Sequence, residues 1–108
     1  MSINSTLNID KYDFQKNDAR VLDLSDIVTK EELHKRLKVF FKFPDYYGGN
    51  LDALHDCLTD ISEETSVTII LPEKWPEKKS KYIKNFIKVC GDAASENEKL
   101  TFLFSYPA

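Results

Sequence analysis

Acidic and aromatic side chains gather between Pro44 and Glu64. This stretch holds Asp45, Asp52, Asp56, Asp60, Glu63 and Glu64 and contains no lysine or arginine. Asp52, Asp56 and Asp60 recur at every fourth position, a spacing that on a helix lines the three carboxylates along one face. Like charges at that spacing cost an isolated helix roughly 0.2–0.5 kcal/mol per pair. Asp60 falls at the negative end of the helix dipole, where an acid is disfavoured. Local stability would not select this row; a cationic partner would account for it. A merely solvated acidic face produces the same charge pattern. The neighbours tip the balance, because Tyr46, Tyr47 and His55 stand beside the acids and Gly48-Gly49-Asn50 forms a tight loop next to them. Amphipathic aromatic groups of this kind are enriched at protein interfaces, and one of the two tyrosines is expected to pack on the core instead.

His55 invites a second chemistry. Asp52, His55 and Asp56 at i, i+3 and i+4 could hold a metal or form an acid–base pair. The rest of a catalytic site is missing from the sequence: there is no glycine-rich phosphate loop, no nucleophile context and no second histidine cluster, and His34 lies on a different helix. A single helix face rarely completes a site, so no catalytic residue, metal ligand or cofactor is expected. Cys57 lacks a cationic neighbour in sequence and is expected to be unreactive. With Cys90 it reads as one of two reduced core thiols rather than part of a disulfide framework. The lysines at 78, 79, 81, 84 and 88 read as a solvated helix face, so acid and base are segregated onto different elements.

Periodicity gives the strands and helices that carry the acidic row. Val21 to Leu24 alternates and suits a strand. Thr29 opens a helix, with Glu32 completing a capping box, and Leu33, Leu37, Phe40 and Phe41 form its inward stripe. Pro44 disfavours helical geometry at Phe43 and breaks the helix. Asn50 caps a second helix running to about Thr59, with Leu51, Leu54 and Leu58 inward and Ala53 and Cys57 beside them. Ser66 to Leu71 is rich in β-branched residues and reads as a buried strand. Pro72 to Pro76 is a loop in which Trp75 packs at the sheet edge. Lys78 to about Ala94 is a third helix, with Tyr82, Ile83, Phe86, Val89 and Cys90 inward, and Leu100 to Phe104 is the last strand. The order β-α-α-β-α-β with long crossovers predicts an α/β fold, a small parallel sheet packed with helices.

Bulk properties agree with one domain: 108 residues, 42% hydrophobic and 31% charged. A net charge of −3 disfavours direct nucleic-acid binding. Met1 to Asp10 lacks a basic start and apolar run, and no apolar stretch could span a bilayer. A cytoplasmic location without membrane contact is therefore expected. Residues 1–19 read as a polar, loosely held extension that Tyr12 and Phe14 could pin to the body, and residues 20–108 as the domain proper.

The run Pro44-Asp-Tyr-Tyr-Gly-Gly-Asn-Leu-Asp-Ala-Leu-His-Asp-Cys-Leu-Thr59 resembles the signature of the barstar family, intracellular inhibitors of barnase-type ribonucleases. The agreement in element order extends over about residues 20–105. The resemblance implies a three-stranded parallel sheet packed with helices, and a 1:1 complex in which the loop and following helix occlude the active site of a basic ribonuclease. By matched position, Tyr46 would pack against a catalytic residue of the nuclease. Asp56 would enter the phosphate-binding site, with Asp52 beside it, and Gly48, Asn50 and Leu51 would supply loop contacts. A carboxylate can replace substrate phosphate among arginines through short charge-assisted hydrogen bonds. Asp92 would add an acidic contact from the third helix. The chain departs from the family's archetype at His55 and Ile61, where tryptophans stand at or near the interface, which points to a different partner ribonuclease. Two rivals accompany the inhibitor reading: an interaction module of the same fold with a non-nuclease partner, and an enzyme using Asp52, His55 and Asp56. The partner-facing set is thus Tyr46, Gly48, Asn50, Leu51, Asp52, His55, Asp56, Asp60, Ile61 and Asp92.

Overall fold

The computed structural model describes residues 20–76 and 80–106. The expected extension over residues 1–19, with Tyr12 and Phe14, lies outside them, as do Lys78 and Lys79. The elements are β1 (Arg20–Asp23), α1 (Lys30–Phe41), α2 (Leu51–Thr59), β2 (Thr65–Ile70), α3 (Ser80–Glu96) and β3 (Leu100–Ser105). All three strands run parallel in the order β1-β2-β3. This is the α/β fold expected, a three-stranded parallel sheet packed with helices.

Strand alternation sets what the sheet buries. Leu22 stands opposite Ile69, and Ile69 opposite Phe104. Leu22, Val67, Ile69 and Leu100 point into the core with Leu33 and Leu37 of α1, Leu54 and Leu58 of α2, and Phe86, Cys90 and Ala93 of α3. One residue out of phase, Val21, Thr68 and Leu103 share a row on the other side, where Val21 and Leu103 are exposed. Among the described residues no helix is long and apolar enough to cross a membrane.

The start of α1 is the capping box. The Thr29 hydroxyl accepts from the Glu32 N–H at 3.1 Å, and the Glu32 carboxylate accepts from the N–H groups of Val28 at 3.0 Å and Thr29 at 3.3 Å. The end of α1 precedes Phe43 because Lys42 turns left-handed at φ 58°. Its N–H reaches the carbonyls of Lys38 and Val39, and the Phe43 N–H reaches that of Lys38 at 3.0 Å, so the last turn closes on itself before Pro44. Phe43, which the sequence reading placed in a helix-breaking segment, is core at 8% exposure, whereas Phe40 and Phe41, expected to face inward, are only half-buried. Phe41 instead stacks on Phe43, with ring centroids 5.3 Å apart.

Candidate partner-binding site

The loop from Phe43 to Asn50 presents the site. A turn closes from the Tyr47 N–H to the Pro44 carbonyl at 2.9 Å. It divides two adjacent tyrosines: Tyr46 is 82% exposed, while Tyr47 is half-buried against the core. Gly49 sits at φ +69°, a backbone state that side chains resist. Asn50 then caps α2, its carboxamide oxygen accepting from the Ala53 N–H at 2.8 Å.

Tyr47 is held from beneath by a residue that sequence reasoning set aside. His34 on α1 is 5% exposed. Its Nδ1 lies 2.6 Å from the Tyr47 hydroxyl and its Nε2 lies 2.6 Å from the Tyr82 hydroxyl on α3. A neutral imidazole has one N–H and one lone pair, so it donates to one phenol and accepts from the other. Burial keeps His34 below its ordinary pKa and pushes the Tyr47 and Tyr82 hydroxyls above theirs. The network is neutral at physiological pH, and it ties α1, the loop and α3 at one point.

Along α2, Asp52 and Asp56 are exposed, and Asp60 forms the helix's exposed C-cap. Among the described residues no cationic side chain lies within ion-pair distance of Asp52 or Asp60. Asp56 faces only the His55 ring, Nδ1 to Oδ1 at 3.8 Å. The C-terminal end of α2 is fixed by Asn97, a buried polar residue between α3 and β3. Its amide nitrogen lies 3.1, 3.3 and 2.9 Å from the carbonyls of Leu58, Thr59 and Ile61, and its oxygen accepts from the Lys99 N–H at 3.0 Å.

His55 turns from the acidic row toward α3. Its Nε2 lies 3.2 Å from a carboxylate oxygen of Glu96, the last residue of that helix. The hydrogen bond to Glu96, ahead of the nearby charges of Glu96 and Asp56, raises its pKa above the ordinary value. Glu96 is therefore an acid of α3 that reaches α2. Asp92, a turn earlier, is exposed and paired with Lys88 at 3.0 Å along its own helix. The sequence signal for Glu96 was its i+4 spacing from Asp92 on a helix bound to cross α2.

Of the remaining expected contacts, Gly48 is exposed in the loop, and Leu51 is half-buried against the core. Ile61 lies beyond α2, half-buried on the wall of a separate cleft of about 340 Å³ that Phe40, Phe41, Lys42 and Glu64 also line. Trp75, expected at the sheet edge, stacks on Tyr82 of α3, planes 13° apart. Among the described residues no three His, Cys, Asp or Glu side chains converge as metal ligands. Burial, with the charges of Asp60 and Asp56 behind it, pushes the half-buried Cys57 thiol up, and burial alone pushes Cys90 up to about 12. Neither suits a nucleophile.

A Bacillus subtilis (strain 168) protein named "Putative ribonuclease inhibitor YrdF" is 56% identical to the chain over 39 residues. That match covers 36% of this chain and 43% of the relative, so the chain spans under half the length of the curated relative it matches. The model of one family, described as Barstar (barnase inhibitor), matches residues 17–106. That span takes in the sheet, all three helices and the acidic loop–helix face they position, and the chain belongs to the Barstar (barnase inhibitor) family.

Proposed function

We propose that this chain is a stoichiometric inhibitor of a barnase-type ribonuclease in the cytoplasm, acting by laying the Tyr46 loop and the acidic face of α2 into the enzyme's basic active-site groove. The observation that carries the reading is the state of the acids. Asp52, Asp56 and Asp60 stand in a row on a rigidly capped helix, exposed and without lysine or arginine partners among the described residues. A site for RNA phosphate is lined with cations, and a carboxylate offered there takes the phosphate's place in charge-assisted hydrogen bonds. Exposed Tyr46 adds an aromatic anchor beside the charge. Family membership and the inhibitor-named relative support the same partner class.

The test is a titration of the purified chain into barnase while RNA cleavage is followed. A sharp end point at equal molarity is expected. Asp56→Ala is expected to weaken binding by about 1.5–3 kcal/mol, the range for a hydrogen bond to a charged group, or roughly ten- to a hundredfold. Asp26→Ala is the control. Asp26 is exposed and already spent on Arg36 at 2.6 Å, away from α2. Equal losses from the two variants would remove Asp56 from the role given it. No inhibition at micromolar excess, with a non-nuclease protein bound instead, would replace the nuclease by another cationic partner.

A further inference from the structure

His55 is the one imidazole on α2, and each of its nitrogens is aimed at a carboxylate. Nε2 lies 3.2 Å from Glu96 on α3, and Nδ1 lies 3.8 Å from Asp56 on its own helix. The ring is about a third exposed, against 85% for the Asp56 side chain and 56% for that of Glu96, so partner groups can reach all three. A neutral ring donates from Nε2 to Glu96 and leaves a lone pair on Nδ1 facing Asp56, an arrangement that gains nothing from the second acid. An imidazolium donates toward both. Of the other charges on these two elements, Asp52 lies three residues before His55 on α2, and Asp92 on α3 is held by Lys88.

We infer that His55 is a proton-linked specificity residue of this face: the imidazolium occupies Glu96 and Asp56, and a cationic partner that takes those carboxylates must expel its proton. The inference rests on the inhibitor reading for the class of partner. It follows from competition at one point, since a guanidinium or ammonium that takes over the Asp56 and Glu96 oxygens displaces the imidazolium N–H groups from them and sets two cations a few ångströms apart. Affinity then rises with pH while His55 loses its proton in the free chain. The limit for one released proton is about tenfold per pH unit. The same ring sets the condition for entry: a nuclease whose cations take Asp56 and Glu96 is refused in acid.

The experiment measures the affinity of barnase for the wild type and His55→Gln from pH 5.5 to 8.5 at fixed ionic strength. Groups that titrate on the nuclease affect both chains alike, so the ratio of the two affinities isolates His55. The expected result is a ratio, variant over wild type, that grows as pH falls. A constant ratio, or one that shrinks in acid, overturns the inference. Should barnase fail to bind or be inhibited even at pH 8, barnase is not the partner and the failure belongs to the choice of nuclease. The free chain then decides the clamp by an NMR titration of His55 in the wild type and in Glu96→Gln. A midpoint lowered by the substitution supports the clamp; an unchanged midpoint overturns it.

Discussion

Removing the Asn97 side chain should be the most costly polar deletion near the acidic helix. The residue is buried, and its amide spans three carbonyls at the end of α2 while its oxygen serves the Lys99 N–H. A carboxamide has two N–H protons and one such acceptor in use, so the four contacts amount to three full hydrogen bonds. At about 1 kcal/mol net for each, the loss is about 3 kcal/mol; water reaching the partly exposed Thr59 and Ile61 carbonyls trims this to about 2–3 kcal/mol. For a domain of this size that is a fall in Tm of roughly 10–20 °C. Asn97→Ala and the wild type are compared by urea unfolding and thermal melts, with Asn85→Ala, an exposed position on α3, as the reference. Asn97→Asp should be worse than alanine at neutral pH, because it sets a carboxylate against three carbonyl oxygens, and should recover in part as acid protonates it. A loss within about 0.5 kcal/mol of the Asn85 variant, the usual range for surface changes, would refute the capping role.

Two further outcomes test the local physics. Lys42→Gly should raise stability by up to about 1 kcal/mol in urea unfolding, since Lys42 holds φ 58° at the end of α1 and glycine meets no Cβ penalty there; a loss would show that the lysine side chain contributes more than its strain. His34 should give the fold an acid-sensitive limb. Burial depresses its pKa in the folded chain, so the unfolded chain takes up the proton first; the contribution is whole above about pH 6.5 and is lost as pH falls through the lower folded value. Stability against pH in the wild type and His34→Gln should converge on acidification, and parallel curves would deny His34 that role. His55, whose pKa is raised, acts in the opposite direction: its own contribution is present below about pH 6.5 and fades as pH rises through its folded value.

What could be read from the residues alone divides by range. Thr29 and Glu32, Asn50 and Ala53, and the row of Asp52, Asp56 and Asp60 are contacts or spacings within one turn or one helix, and each stands where its spacing implied. Strand and helix limits moved by a residue or two, because ladder partners rather than propensity end a strand: Leu24 and Leu71 still donate to Ile70 and Ser105 beyond the strand ends. The contacts that were not legible join distant segments. His34 meets Tyr47 thirteen residues on and Tyr82 forty-eight on. His55 meets Glu96 across forty-one residues, and Asn97 reaches back thirty-nine to Leu58. Helix periodicity says which face a side chain occupies; the rotation of one helix against another decides what it meets. The swap between Phe41 and Phe43 has the same origin. The left-handed turn at Lys42 redirects the chain so that the ring after the helix, not the last ring within it, fills the core.

These long-range contacts explain how an acidic row that local physics disfavours can be kept. Repulsion along α2 and the dipole at Asp60 both act to fray the helix. Its ends are closed without recourse to the acids. Asn50 caps the first turn, Asn97 holds the last, and the loop leading in is fastened through Tyr47 to His34 and Tyr82. Each of these anchors is neutral, so none draws Asp52, Asp56 or Asp60 into an internal ion pair. A helix stabilised instead by lysines at i+4 would be firmer alone, yet those lysines would have to be displaced before a cationic groove could reach the carboxylates. The neutral scaffold leaves the acids ordered and unspent, and a partner meeting them loses little freedom on binding. His55 is the exception on this face, an ionisable side chain whose ring nitrogens face Glu96 and Asp56.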